Sequence, residues 1–321
     1  KPFSDGMALM RCGEVDAITI ATPHGSHPPL AMAAFEQGLH VLTEKPIAVT
    51  AKAAQEMIDA AAAHPQLIFA AMFQMRAKPT WQAVKRLIDI GVVGELVRIH
   101  WTITTWFRSQ AYYDSAGWRA TWKGEGGGLL INQCPHNLDL FQWFAGMPSE
   151  VTAQVSLGKY HDIEVEDEVI AVMRFANGAS GTFVASSGEA PGVNHLEIVG
   201  DRATLVADAD QPLKVFEHHG SVAAFRNTTS ERFARPTCDT HTLEPGGTFR
   251  GFQAIIDNFV SAIRDGEPLI APAAEGIHGL ELGNAMLMSG LTGKPVALPS
   301  DRDAYDALLQ KLIDEAALTP A

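Results

Sequence analysis

The feature that most constrains this chain is the alternation of short β-rich apolar runs with helical segments over its first 72 residues. Residues 15–22 read as a buried strand that stops at Pro23, residues 40–43 as a second and residues 66–72 as a third. Pro28 and Pro29 with Gly38 beyond bracket the first helix, and Thr50 caps a second that runs to about Ala63. Strands joined through single helices pair in parallel, with the crossovers covering both faces. The polar residues that follow each strand are thereby gathered along one edge of the sheet, where ligands bind in open α/β folds.

After Met75 the pattern changes. A helix over 80–90 leads to a long strand at 95–106, an irregular Trp-rich stretch, a glycine triplet and a helix over 135–145. Strands follow at 151–157, 168–175, 179–186, 195–199 and 203–207, with Asn177-Gly178 as a hairpin turn. Residues 218–248 lack periodicity and read as an extended loop, and helices at 252–264, 274–291 and 303–316 close the chain. The fold class is therefore α/β plus α+β. A doubly wound unit over 1–76 precedes a unit over 77–321 with a large, mostly antiparallel open sheet.

At 321 residues the chain is long enough for two such cores. Its 24 basic and 37 acidic residues leave a net charge of −13, which argues against nucleic-acid or anionic-membrane partners. Three well-separated cysteines, Cys12, Cys134 and Cys238, make neither a disulfide framework nor a zinc spacing. No apolar run is long enough to cross a membrane, and a cytoplasmic protein is expected.

Four groups of residues could carry chemistry. Thr22, Pro23 and His27 follow the first strand, where an ordinary turn and a ligand loop are equally good readings. Glu44-Lys45-Pro46 follows the second. There the Lys45 ammonium could reach into a cleft, to hold a hydroxyl or act as a base, although a solvated lysine is the commoner fate. Asn132, His136 and Asp139, spaced four and three, would share one helix face beyond Gly126-Gly127-Gly128. That pattern suits a proton acceptor or, equally, a packed histidine with a capping asparagine, and it offers too few ligands for a metal. Five of six tryptophans fall between residues 101 and 143. Trp101 and Trp143 suit a core, whereas the irregular stretch 106–122, with Trp106, Tyr112 and Trp118-Arg119, suits ligand binding.

Taken in order, these pieces resemble the Gfo/Idh/MocA (glucose-fructose oxidoreductase / inositol dehydrogenase / rhizopine catabolism) family over residues 3–299. The matching residues are Ala21-Thr22-Pro23 with His27, Glu44-Lys45-Pro46, Arg76, the glycine triplet, His136 with Asp139, and Val165-Glu166-Asp167. Asn258-Phe259, Ala262-Ile263-Arg264-Asp265-Gly266, Gly293-Lys294-Pro295-Val296 and Leu298-Pro299 complete the set. The resemblance implies a Rossmann-like first domain, a pyridine-nucleotide cofactor (NAD or NADP), and hydride exchange with a secondary alcohol of a sugar, cyclitol or sugar derivative. It implies that Lys45 hydrogen-bonds that hydroxyl and His136 takes its proton. Thr22, Pro23, His27, Glu44, Lys45, Pro46, Arg76, Trp118 and Arg119 would line the cofactor. Lys45, Asn132 and His136, with Trp106 and Tyr112, would line the substrate. A homodimer or homotetramer formed through the antiparallel sheet is also implied.

Two departures qualify this. Relatives usually carry Asp where this chain has Asn132, and an amide can orient but cannot accept a proton as a base. The Gly-x-Gly-x-x-Gly turn that cradles a dinucleotide is absent, so the chain is read as starting inside a longer protein, with on the order of 50–70 residues upstream. Pro2–Arg11 would then be the helix preceding the first strand, and the 321-residue polypeptide alone is expected to bind the cofactor poorly. Two other functions compete. One is glycosidase or lyase chemistry through transient sugar oxidation with no net redox change, and the other is a catalytically silent sensor.

Overall fold

The computed structural model describes residues 2–208 and 211–318. Its first sheet is parallel and three-stranded, in the order β1 (Ala17–Ile20), β2 (His40–Thr43) and β3 (Phe69–Ala71). α1 (Gly6–Met10) precedes it, with the Asp5 carboxylate accepting from the Met7 and Ala8 amides. α2 (His27–Glu36) and α3 (Ala51–Ala62) are the crossovers, and the Thr50 hydroxyl accepts the Ala53 amide as the expected cap.

α4 (Pro79–Asp89) leads into a nine-stranded sheet. β4 (Leu96–Ile103) is followed by the short helices α5 (Gln110–Tyr113) and α6 (Leu129–Asn132), then α7 (Pro135–Ala145). β5 (Glu150–Leu157), β6 (Glu166–Arg174), β7 (Ser180–Ser186), β8 (Asn194–Gly200), β9 (Ala203–Asp208) and β10 (Leu213–His218) then run nearly without a break. The strand order is β11-β10-β9-β8-β4-β7-β6-β5-β12, where β11 is Cys238–Leu243 and β12 is Val296–Ala297. Every neighbouring pair is antiparallel except β4 with β7. Val169, Ala171 and Met173 of β6 point inward, and the alternate Ile170 and Val172 are exposed on the open face.

Two expectations need correction. Residues 218–248 are not simply a loop: they hold α8 (Val222–Thr228), capped by Ser221, and β11. β11 was illegible because all six of its residues are exposed, so its pairing with β10 leaves no apolar alternation. The boundary at 76/77 separates the sheets but not the cores. Ile255 and Phe259 of α9 (Phe252–Asp265), spaced four apart, pack with Ala271 and Ile277 into the core of the first sheet. α10 (Gly276–Thr292) lies between the two cores, and α11 (Arg302–Leu318) places Tyr305 and Leu309 in the second. Gly279 permits this arrangement, because a Cβ there would lie 2.9 Å from the Asp139 amide nitrogen of α7.

Candidate active site

The carboxyl ends of β1 and β2 carry the first two groups of candidates side by side. Thr22 and Pro23 are exposed at the rim, and a short 3-10 turn, His24–Ser26, opens α2. His27 is fully buried, and its ring nitrogens face the Thr22 carbonyl at 2.8 Å and the Pro46 carbonyl at 2.9 Å. With both nitrogens engaged, His27 ties the two strand-end loops together and is not free to touch a cofactor.

Lys45 turns from the end of β2 toward the second domain, and its Nζ donates to the Asn132 carbonyl at 2.9 Å. Burial lowers its pKa, helped by the Arg108 charge and opposed by Glu44 and Glu125. The glycine triplet makes this convergence possible. A Cβ on Gly128 would sit 2.2 Å from the Glu166 carbonyl oxygen, so only glycine lets this backbone run against β6. The Glu166 carboxylate accepts the Gly128 and Leu130 amides at 3.0 and 2.9 Å, fixing the start of α6 and so the carbonyl that Lys45 meets.

Asn132, His136 and Asp139 do not share one helix. α6 ends at Asn132 and α7 begins at Pro135, whose missing N–H and fixed φ suit a helix start. His136 is left in the first turn of α7, 9% exposed, with its ring 6.1 Å from that of Phe73. Burial, with Lys45 close by, lowers its pKa to about 3, so the ring is neutral at neutral pH. Asp139 is turned away, paired with Arg76 at 2.6 and 2.8 Å, and Arg76 also pairs with Glu275. Arg76 is 1% exposed, so its expected place along the cofactor is corrected to a buried clamp between α7 and the turn after β3. Cys134 is buried and its thiol is pushed up, which makes it a packing residue.

The irregular stretch after β4 closes over this site. Trp106 is half-buried, Trp118 is 36% exposed, and Tyr112 lies between the Arg108 and Arg119 guanidiniums, 5.1 and 4.7 Å from its ring centre. The Arg119 Nη1 donates to the Tyr112 hydroxyl at 3.0 Å. Trp118 meets His24 edge-on at 6.3 Å, joining the stretch to the β1 loop. Trp122, by contrast, is buried in the second core.

Four residues of the site went unread in the sequence. His24, Arg108, Glu125 and Gln133 carry no motif spacing of their own, although Glu125 directly precedes the glycine triplet. Glu125 is 2% exposed. It accepts the Ala120 amide at 2.7 Å and the Asn132 side-chain amide, which leaves the Asn132 oxygen as its remaining polar atom. Buried polar atoms without a partner among the described residues gather here: His24 Nδ1, Trp106 Nε1, Arg108 Nε, Arg119 Nε, Gln133 Oε1 and His136 Nδ1. Such atoms are costly unless water or a ligand meets them, and their mix of donors and acceptors could meet a nicotinamide and a polyhydroxylated substrate.

Comparison with known proteins shows the family. Residues 1–72 match the family model for the oxidoreductase family with an NAD-binding Rossmann fold, and residues 81–206 match the C-terminal domain model of the same family. The chain belongs to the Gfo/Idh/MocA family. Among Gfo/Idh/MocA relatives, levoglucosan dehydrogenase of Pseudarthrobacter phenanthrenivorans is 26% identical, covering 97% of this chain and 83% of the relative. Inositol 2-dehydrogenase of Rubrobacter xylanophilus is also 26% identical, over 91% and 78%. Of the solved structures, the WlbA dehydrogenase of Bordetella pertussis in complex with NADH and UDP-GlcNAcA superposes with a TM-score of 0.76 at 26% identity, over 94% and 84%.

Burial of His136 also shapes stability. Its pKa of about 3 in the fold lies below the ordinary 6.5, so between these values the unfolded chain binds a proton that the folded chain does not. Stability from this group is complete above pH 6.5 and declines as pH falls toward 3. Between pH 7 and 5 the expected loss is on the order of 2 kcal/mol. Urea denaturation at both pH values should show a smaller loss for His136→Gln, and equal losses would contradict the burial argument.

Proposed function

We propose that this Gfo/Idh/MocA oxidoreductase is a dehydrogenase that transfers hydride between a sugar or cyclitol secondary alcohol and NAD. The observation that carries the reading is the convergence of Lys45, from the end of β2, with the neutral His136 of α7. The Lys45 ammonium donates to the substrate hydroxyl oxygen and stabilises negative charge as it develops there. His136 takes the hydroxyl proton, and the hydrogen on the same carbon departs as hydride, leaving a carbonyl. When bound, the nicotinamide supplies the hydride acceptor. Thr22, Pro23, Glu44, Trp118 and Arg119 would hold that cofactor, and the Asn132 oxygen, oriented by Glu125, would receive a neighbouring substrate hydroxyl. The dehydrogenase relatives with levoglucosan and inositol in their names support this substrate class.

Full-length protein incubated with NAD and a panel of sugars and cyclitols is expected to accumulate NADH in proportion to product. Conversion of a glycoside without NADH accumulation would instead point to transient-oxidation chemistry, and no conversion with any member would refute the proposal.

A further inference from the structure

We propose that Arg108 binds a carboxylate or phosphate group on the substrate, so that the preferred substrate is an acidic sugar. This rests on the dehydrogenase reading above and names its substrate class.

Arg108 is held in place with unusual care for a residue in an irregular segment. Its amide donates to the Ser187 carbonyl at 2.9 Å, and its own carbonyl lies 2.9 Å from His161 Nε2. The other His161 nitrogen lies 3.0 Å from a carboxylate oxygen of Asp167, which is fully buried. A chain of buried polar contacts therefore fixes the backbone from which this side chain projects. The guanidinium carbon lies 5.6 Å from the Trp106 ring centre and 5.1 Å from that of Tyr112. Flanking rings restrict the plane of the group and leave its edge donors to define what it binds.

Those donors are almost unused. Among the described residues the side chain makes one hydrogen bond, from Nη1 to the carbonyl of its neighbour Phe107 at 3.0 Å, and its Nε is buried without a partner. Other arginines of the fold pair with carboxylates, as Arg76 does with Asp139 and Arg302 with Glu281. Among the described residues Arg108 has no such ion pair. Its charge also reaches Lys45. Lys45 already has Glu44 and Glu125 within electrostatic reach, so it is the unpaired guanidinium of Arg108 that needs a reason. An oxyanion on the substrate supplies one: it fills the guanidinium fork and anchors the sugar beside Lys45. Arg119, on the same Tyr112 ring, has Glu125 within electrostatic reach and is the weaker candidate.

The test uses full-length protein, with turnover and calorimetric binding measured in the presence of cofactor. Glucuronate and gluconate serve as carboxylate probes, glucose 6-phosphate as the phosphate probe, and glucose and myo-inositol as neutral ones. At least one acidic probe is expected to exceed its neutral counterpart about 30-fold in kcat/KM or affinity, and the better arm identifies carboxylate or phosphate. Arg108→Leu should abolish that preference, and Arg108→Lys should keep part of it. Equal or better use of neutral probes would overturn the proposal, as would failure of every acidic probe to bind. A loss of NADH affinity in Arg108→Leu with the preference intact would assign the guanidinium to the cofactor instead and also overturn it. Binding of an acidic probe through Arg108 without oxidation would sustain this site and refute the dehydrogenase reading. Oxidation of neutral sugars alone would do the reverse.

Discussion

Replacing Lys45 by Ala lowers kcat for alcohol oxidation about 10³-fold or more, and the loss falls on kcat more than on KM. The ammonium is largely withdrawn from water and held 2.9 Å from the Asn132 carbonyl, so its position is set before substrate arrives. Its attraction for a hydroxyl oxygen grows as that oxygen becomes an alkoxide, which makes the contact stronger in the transition state than in the ground state. His136→Ala removes the proposed proton acceptor and is expected to have a comparable effect, by about 10²- to 10⁴-fold. Because the two groups act on one hydroxyl, the double variant should fall no further than about tenfold below the worse single one. Steady-state kinetics on the three variants decides this. Losses below tenfold in both single variants would mean that the proton leaves by another route.

The largest stability effect is expected at Asp139. Asp139→Ala leaves the Arg76 guanidinium, 1% exposed, with only the partly exposed Glu275 as a charged partner. Breaking one side of a buried ion pair typically costs about 3–5 kcal/mol, because the remaining charge stays desolvated. In thermal denaturation this is a fall of roughly ten degrees. Arg76→Met with Asp139→Leu removes both charges and should recover most of the loss, since burying two apolar groups carries no such penalty. If the double variant were no more stable than Asp139→Ala, the pair would be acting through packing rather than charge. The pair also links α7 to the turn after β3, so activity should follow stability in the single variant.

Much of the architecture was legible because it follows from local rules. The bounds of β2 and α7, the Thr50 cap and the Asn177-Gly178 hairpin come from apolar periodicity, capping and turn chemistry, which act over a few residues. Lys45 and His136 were legible for a related reason: each sits at the end of an element whose type was already clear. Other roles depended on partners far along the chain. Arg76 and His27 stood in motifs that suggested ligand contact, yet Asp139 is 63 residues from Arg76 and Pro46 is 19 from His27. Arg108 carried no local sign, and its place within electrostatic reach of Lys45 depends on Asp167 and Ser187 at a distant part of the second sheet.

By itself the sequence determined most of the segments that become strands and helices, though not α8 and β11, the parallel character of the first sheet, and two of the groups proposed to act at the site. Those properties follow from nearest neighbours and side-chain period. Only the tertiary structure decided which polar residues would be buried against one another and which left unpaired in the cleft. That outcome depends on desolvation and on contacts made across the two cores, and neither is encoded in the order of adjacent residues.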